Sequence, residues 1–176
     1  MGYSDEFDII FCNSTFQWFN PPEPALESCY RALRKGGKMG IQSPARKVYS
    51  PNFIAAIETV KKDPGTNDTF AHFEEPWFFR DTPEEYSAIF ENAGFEVTSS
   101  RIDKVVTPYT TTEAIGIFDS GAAAGYLNQD YYDIPITHEY VESFKHIVRD
   151  SFSSQSDSEG KLSLVFFRIY LTARKP

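Results

Sequence analysis

The stretch that decides the fold is Phe7-Asp8-Ile9-Ile10-Phe11-Cys12-Asn13-Ser14-Thr15-Phe16-Gln17-Trp18. Its first half, Phe7–Cys12, has the length and the apolar character of a buried parallel strand. The apolar run stops at Asn13–Trp18, which combines polar and aromatic side chains. Ligands of open α/β sheets lie beyond the carboxyl ends of the strands. The sequence therefore predicts that Asn13–Trp18 faces a ligand.

A helix and a second strand are predicted to follow. Apolar residues repeat at helical spacing over Leu26–Leu33, and Gly36-Gly37 is the expected end of that helix. Arg34 and Lys35 would then lie in the last turn, where cations favour the negative end of the helix dipole. A strand over Lys38–Ser43 would come next.

This order of residues resembles the second half of a class I S-adenosylmethionine-dependent methyltransferase. The resemblance is specific over Phe7–Ser43. Within the superfamily, the sequence is most similar to the small-carboxylate type, such as trans-aconitate and malonyl-carrier O-methyltransferases. The resemblance implies an α/β fold with an incomplete Rossmann-like sheet, made of the C-terminal strands of the family's sheet, and with helical lid insertions. The last strand would be antiparallel and inserted between its two predecessors. Residues 1–176 would form a single domain.

The rest of the chain carries patterns that fit this architecture. The motif Thr82-Pro83-Glu84-Glu85 is a capping box with proline at the first helical position. Threonine precedes two further amphipathic segments in the same way. The predicted elements are a helix within Val48–Lys62, helices capped by Thr82, Thr110 and Thr137, and strands over Glu96–Val106 and Leu162–Thr172.

The resemblance also assigns cofactor-binding residues. Asn13, Ser14, Thr15, Gln17 and Trp18 would border the methionine end of S-adenosylmethionine and the substrate. Amide side chains offer donors and acceptors, and an indole ring can face a sulfonium cation. The alternative is that the tryptophan packs on the following helix and the amides satisfy a turn. Methyl transfer from a sulfonium depends mainly on alignment and exclusion of water, so the sequence names no catalytic residue.

Candidates for the acceptor side are Arg46, His72, Trp77 and Arg80. A carboxylate acceptor would need a cation, which the two arginines offer, and His72 could act as a general base. Trp77 belongs to the aromatic loop Phe70–Phe79, which either docks into the core or lines a pocket. The alternative for the arginines is a surface charge, and for His72 a packed or solvated ring.

Composition limits the partners. The chain has 17 basic and 25 acidic residues and a net charge of −8, which argues against nucleic acid and against anionic membranes. No run approaches the roughly 18 apolar residues that span a bilayer, and a cytoplasmic location is expected. Cys12 and Cys29 are expected to be reduced thiols, and His138 and His146 have no third ligand, so no metal site is predicted.

One departure from the family pattern affects the expected activity. The glycine-rich loop and the acidic residue that would hold the cofactor's amino acid portion and its ribose have no counterpart in the 176 residues. We therefore expect part of a methyltransferase for a small-molecule acceptor, inactive or weakly active alone. The alternative is a non-enzymatic module that binds a ligand or a partner.

The same departure predicts a partner. Strand Phe7–Cys12 would lack a neighbour on one side, and an unpaired apolar edge tends to find another strand. We expect a homodimer through this strand or a complementing N-terminal fragment.

Overall fold

A computed structural model describes residues 2–176 as a mixture of helices and strands. The strands of this part of the chain are β1 (Phe7–Asn13), β2 (Leu33–Pro44), β3 (Glu96–Thr110) and β4 (Lys161–Arg174). The α-helices are α1 (Glu23–Ala32), α2 (Pro51–Lys62), α3 (Asn67–Phe70), α4 (Pro83–Asn92), α5 (Thr111–Ser120), α6 (Ala123–Tyr126) and α7 (His138–Ser154). Short 3-10 turns lie at Phe16–Trp18 and Gln129–Tyr131.

The strands form one open sheet in the order β1-β2-β4-β3. β1 and β2 are parallel and place Phe11 opposite Gly40, whereas β4 runs antiparallel to β2 and places Leu171 opposite Ile41. The predicted α/β sheet with its last strand antiparallel and inserted between two predecessors is therefore confirmed. That all of residues 1–176 form a single domain stays a prediction.

The first helix is shorter than the sequence predicted. α1 ends at Ala32, and Leu33 already has extended backbone angles of φ −75° and ψ 142°. The predicted helix end at Gly36-Gly37 is wrong, because residues 33–37 form an irregular start of β2 beside β1. Arg34 and Lys35 therefore lie in a strand and not in the last turn of a helix.

The irregular pairing explains why a glycine is needed at position 36. Phe7 lies opposite Leu33 and Ile9 lies opposite Lys38, so β2 has more residues than β1 over the same distance. Gly36 absorbs the difference at φ 79°, a left-handed conformation that glycine adopts without steric cost. The glycine pair thus marks a bulge in β2.

The predicted helix starts are confirmed. The Thr82 hydroxyl accepts a hydrogen bond from the Glu85 amide, and the Glu85 carboxylate accepts one from the Thr82 amide. Thr110 and Glu113 form the same reciprocal pair at the start of α5. Thr137 caps α7. These caps satisfy amides that have no partner inside the helix.

The chain folds into two compact units, each assembled from segments that are distant in sequence. The first contains residues up to 49, residues 77–105 and residues 167–176, and the second contains residues 50–76 and 106–166. The core of the first unit includes Phe16, Leu26, Leu33, Met39, Ile41, Phe90, Ile169 and Leu171. Stacked and edge-on rings fill the second unit, among them Phe53, Phe118, Phe144 and Phe152.

The aromatic loop is divided between the two units. Phe70 is buried in the second unit, where its ring lies 5.3 Å from that of Phe73. Trp77 and Phe78 are buried in the first unit. Of the helices formed by residues 2–176, none combines the length and the hydropathy that crossing a bilayer requires.

Candidate functional site

The candidate site lies at the carboxyl end of β1, in the first unit. Ser14 has φ 52°, an uncommon value for a residue with a side chain, and its amide donates to the Gln42 carbonyl at 2.6 Å. The chain then makes the turn Phe16–Trp18. Phe16 is only 1% exposed, and the centre of its ring lies 5.6 Å from that of Phe90. This contact fixes the turn to the core. We refer to Asn13–Trp18 as the crest.

Gln17 supports the crest from inside. Its Nε2 donates to the Ser14 carbonyl at 3.0 Å, and its Oε1 accepts a hydrogen bond from the buried Ser43 hydroxyl. Its own carbonyl accepts from the Phe78 amide at 2.8 Å. The Gln17 amide thus satisfies the turn, and its contact with a cofactor stays a prediction.

Asn13 has the opposite surroundings. It is exposed, and its side-chain amide makes no hydrogen bond to any of residues 2–176. Its backbone carbonyl accepts from the Thr15 hydroxyl at 3.0 Å. The neighbouring Ser14 hydroxyl lies 3.4 Å from Gln42 Oε1 and accepts from Arg168 Nη1 at 3.3 Å. Asn13 thus offers a complete amide to a ligand at the end of the strand.

An aromatic wall, defined as Trp18, Tyr49, Trp77 and Phe79, adjoins the crest. The rings of Trp18 and Trp77 meet edge to face at 5.7 Å, and those of Tyr49 and Phe79 stack at 5.3 Å. Trp77 lies 6.4 Å from both Tyr49 and Phe79 and is 9% exposed. Trp18 is partly exposed.

The two predicted arginines are neighbours through the backbone. The Arg46 amide donates to the Arg80 carbonyl at 3.0 Å. The Arg46 guanidinium lies 4.5 Å from the centre of the Phe167 ring, and the Arg80 guanidinium lies 4.3 Å from that of Phe78. Among residues 2–176, no carboxylate forms an ion pair with either arginine, and Arg46 Nε is buried without a hydrogen-bond partner.

His72 belongs to the second unit, unlike the other predicted site residues. Its Nδ1 lies 2.7 Å from Asp133 Oδ1, and both side chains are substantially exposed. Next to it, Phe73 forms an antiparallel bridge with Tyr132. The imidazole therefore connects two segments of the second unit.

Burial keeps nearby groups in their neutral forms. Burial and the neighbouring Cys29 thiol raise the pKa of Cys12, which disfavours the nucleophilic thiolate. Burial also raises the pKa of Tyr86 to about 12, and its hydroxyl accepts from the Arg80 amide at 3.3 Å. Within residues 2–176, no group of three or more His, Cys, Asp and Glu side chains is placed to hold a metal ion.

Sequence reasoning missed three residues of the site. Ser43 holds Gln17, Arg168 contacts the crest at Ser14, and Tyr49 belongs to the aromatic wall. Arg168 lies opposite Pro44 in the β2–β4 pairing. A signal was present for Arg168, since it is a lone cation within the apolar stretch Leu164–Leu171.

Comparisons with known proteins agree with this architecture. The profile of the family described as "Methyltransferase domain" matches residues 1–41, which include β1 and the crest. The chain is also 25% identical over 169 residues to methyltransferase KtnA of Aspergillus niger, covering 93% of this chain and 53% of that protein. Both matches are to proteins described as methyltransferases.

Solved structures show the same fold. A Bacillus halodurans C-125 protein described as a methyltransferase aligns with a TM-score of 0.54 at 15% identity, covering 99% of this chain and 66% of that one. The YcgJ protein of Bacillus subtilis aligns with a TM-score of 0.50 at 18% identity, covering 98% of this chain and 65% of that one. The chain thus has a methyltransferase-like Rossmann fold and spans about half the length of its curated relative.

Proposed function

We propose that this chain is the C-terminal portion of an S-adenosylmethionine-dependent methyltransferase whose crest holds the methionine end of the cofactor. The proposal rests mainly on Asn13, whose side-chain amide is exposed and makes no hydrogen bond to residues 2–176. Asn13 ends a parallel strand and lies within the residues that match the methyltransferase family. The residues present fit that end of the cofactor, because an amide suits its amino and carboxylate groups and the Trp18 ring suits a sulfonium.

The bound cofactor would supply an electrophilic methyl group, and the protein's contribution would be alignment and exclusion of water. Gln17 holds the crest in shape through Ser14 and Ser43. Trp18, in the same crest as the unpaired Asn13 amide, rests edge to face against the buried Trp77 ring. In this proposal these residues orient the cofactor, and they neither accept nor donate a proton.

We infer that the acceptor is a small carboxylate, as in the trans-aconitate and malonyl-carrier types. Arg46 and Arg80 support this, because they adjoin each other and make no ion pair with a carboxylate of residues 2–176 in a chain of net charge −8. Their guanidinium groups lie over the Phe167 and Phe78 rings, and a guanidinium is the cation best suited to bind a carboxylate.

Calorimetry with S-adenosylhomocysteine tests the cofactor site. We expect feeble binding to the chain alone, and stronger binding when the portion of KtnA outside the matched half is added. Asn13→Ala should weaken that binding by at least about tenfold. Asn92→Ala, at an exposed position at the end of α4, is the matched control. Absence of binding in every mixture, or equal binding by N13A, would contradict the proposal.

Transfer of a labelled methyl group tests the acceptor class in the same mixture. Small carboxylic acids should accept the label, and their methyl esters should not. Arg46→Gln and Arg80→Gln should raise the acceptor KM while the affinity for S-adenosylhomocysteine stays unchanged. Equal use of acids and esters would reject the carboxylate and leave the cofactor site standing.

A further inference from the structure

Ser14 holds the backbone of the crest in a strained conformation. Its φ of 52° lies in the left-handed region, which costs free energy for a residue that has a Cβ. Its neighbours belong to the candidate site, since Asn13 ends β1 and Thr15 precedes the turn Phe16–Trp18. A strained backbone persists only where the surrounding contacts fix it. The contacts of Ser14 therefore determine how the crest presents Asn13.

Every polar group of Ser14 has a partner. Its amide donates to the Gln42 carbonyl at 2.6 Å, and its carbonyl accepts from Gln17 Nε2 at 3.0 Å. Its hydroxyl accepts from Arg168 Nη1 at 3.3 Å and donates to Gln42 Oε1 at 3.4 Å. These directions follow from chemistry, because a guanidinium only donates and so leaves the hydroxyl proton for the glutamine oxygen. Gln42 also lies opposite Asn13 in the β1–β2 pairing, so it adjoins both crest residues.

Arg168 lies 154 residues after Ser14, and β4 brings it to the crest. It is opposite Pro44 in the antiparallel pairing of β2 with β4. Opposite residues of such a pair share a face of the sheet, as do alternate residues of one strand, so Arg168 and Gln42 lie on the same face. The pairing is continuous from Pro44 back to Lys38. The sheet thus fixes the position from which Arg168 contacts Ser14.

We propose that Arg168 is a positioning residue of the cofactor site, which acts through the Ser14 hydroxyl to hold the crest in its binding conformation. This inference rests on the proposed function, in which Asn13 binds the methionine end of S-adenosylmethionine. A crest that is already ordered loses less conformational freedom when the cofactor binds, so the affinity is higher. Without Arg168, the hydroxyl loses a donor and the left-handed backbone can relax. Arg168 thereby differs from Arg46 and Arg80, which are assigned to the acceptor.

Hydrogen exchange followed by NMR on the chain alone tests this contact without any cofactor. Arg168→Met, which keeps a long flexible side chain, and Ser14→Ala should each lower the protection factor of the amide at position 14 by about tenfold. Arg174→Met is the matched control, since Arg174 belongs to the same strand and is paired with Glu96. It should leave that protection factor unchanged. Full protection of the Ser14 amide in R168M would overturn the proposal.

A double-mutant cycle on S-adenosylhomocysteine affinity tests the positioning role. In the mixture with the remaining portion of KtnA, R168M and S14A should each weaken binding by about tenfold. The double variant S14A/R168M should also lose about tenfold and not a hundredfold, because both changes break the same contact. Arg168→Lys, which keeps a charged donor, should retain more affinity than R168M. R174M should bind as the unmodified chain does.

The outcomes separate this inference from the proposed function. Additive losses would overturn it, because they would mean that Arg168 acts on the cofactor independently of Ser14. Full affinity in R168M would also overturn it and would leave the cofactor site standing. Absence of binding in every mixture would reject the proposed function and the cofactor role of Arg168 together, while hydrogen exchange would still show whether Arg168 holds Ser14.

Discussion

Asn13 and Gln17 carry the same functional group in opposite surroundings. The nitrogen and the oxygen of the Gln17 amide both form hydrogen bonds within the protein. The Asn13 amide is exposed and forms no hydrogen bond to any described residue. A side chain that holds a turn and one that meets a ligand should respond differently to truncation. Stability and binding can therefore be separated at the crest.

Gln17→Ala should lower the free energy of unfolding by about 1–3 kcal/mol, since it leaves the buried Ser43 hydroxyl without its acceptor. Asn13→Ala should change it by less than about 0.5 kcal/mol. Urea unfolding of both variants followed by circular dichroism checks this. Equal losses would mean that Asn13 also supports the fold.

Gly94 is a position where the backbone conformation favours glycine. It follows α4 at φ 92°, and a Cβ there would lie 3.2 Å from the Tyr30 ring. Gly94→Ala should cost about 1–2 kcal/mol in the free energy of unfolding. Gly116→Ala, inside α5 with no atom within 4 Å of the added methyl, should instead stabilise by about 0.5–1 kcal/mol. Thermal unfolding that ranks G94A at or above G116A would contradict this.

The crest could be located from sequence because an apolar run that changes to polar residues marks a strand end. The role of each crest residue could not, since Gln17 is fixed by Ser43, 26 residues away. Arg46 and Arg80 were predicted as the cations that bind a carboxylate acceptor, but the backbone hydrogen bond that makes them neighbours depends on the tertiary fold. His72 was predicted from its aromatic neighbours, and it is paired with Asp133, 61 residues later.

At the scale of elements, short-range signals were reliable where they fixed hydrogen bonds locally. The three threonine caps were predicted because the capping hydroxyl and the backbone amide that donates to it lie within one helical turn. The boundary between α1 and β2 was missed, because pairing with β1 outweighs the helix-ending signal of Gly36-Gly37. Long-range strand pairing leaves no local trace in the sequence.

The cap of α5 provides a matched test on one helix. Thr110→Ala should destabilise by about 1 kcal/mol, because the Glu113 amide loses its acceptor. Thr112→Ala, two residues later in the first turn and exposed, should be neutral or slightly stabilising, since alanine favours helices. Chemical denaturation of the two variants measures the difference. A loss of the same size in T112A would show that the effect is not capping.

The cap of α4 should make stability depend on pH. Hydrogen bonds from the Thr82 and Asp81 amides lower the pKa of Glu85 from its ordinary value of 4.5. A pKa lowered by folding stabilises the protein above the unfolded value, and this contribution is lost as pH falls through the folded value. Glu85→Gln should therefore be less stable than the unmodified protein above pH 4.5. Measured as a function of pH, the free energies of unfolding of the two proteins should converge in more acidic solution. A difference that does not change with pH would contradict the assignment.

At the scale of the whole molecule, the two compact units share two continuous strands. β3 and β4 each contribute residues to both units, with no linker at the boundary. We therefore expect one cooperative transition and not two. Trp18 and Trp77, the only tryptophans of the sequence, both belong to the first unit, so tryptophan fluorescence reports on that unit alone.

Phe118→Ala should reveal this coupling. Phe118 is 1% exposed in the second unit and contacts the rings of Phe53 and Phe152 at 5.0 and 5.8 Å, so its loss should cost about 3–5 kcal/mol. The fluorescence midpoint of the first unit should fall together with the circular dichroism midpoint. Phe90→Ala, at a buried ring of the first unit, is the reciprocal control. A fluorescence transition that keeps its original midpoint in F118A, while part of the helical signal melts earlier, would mean that the shared strands do not couple the units.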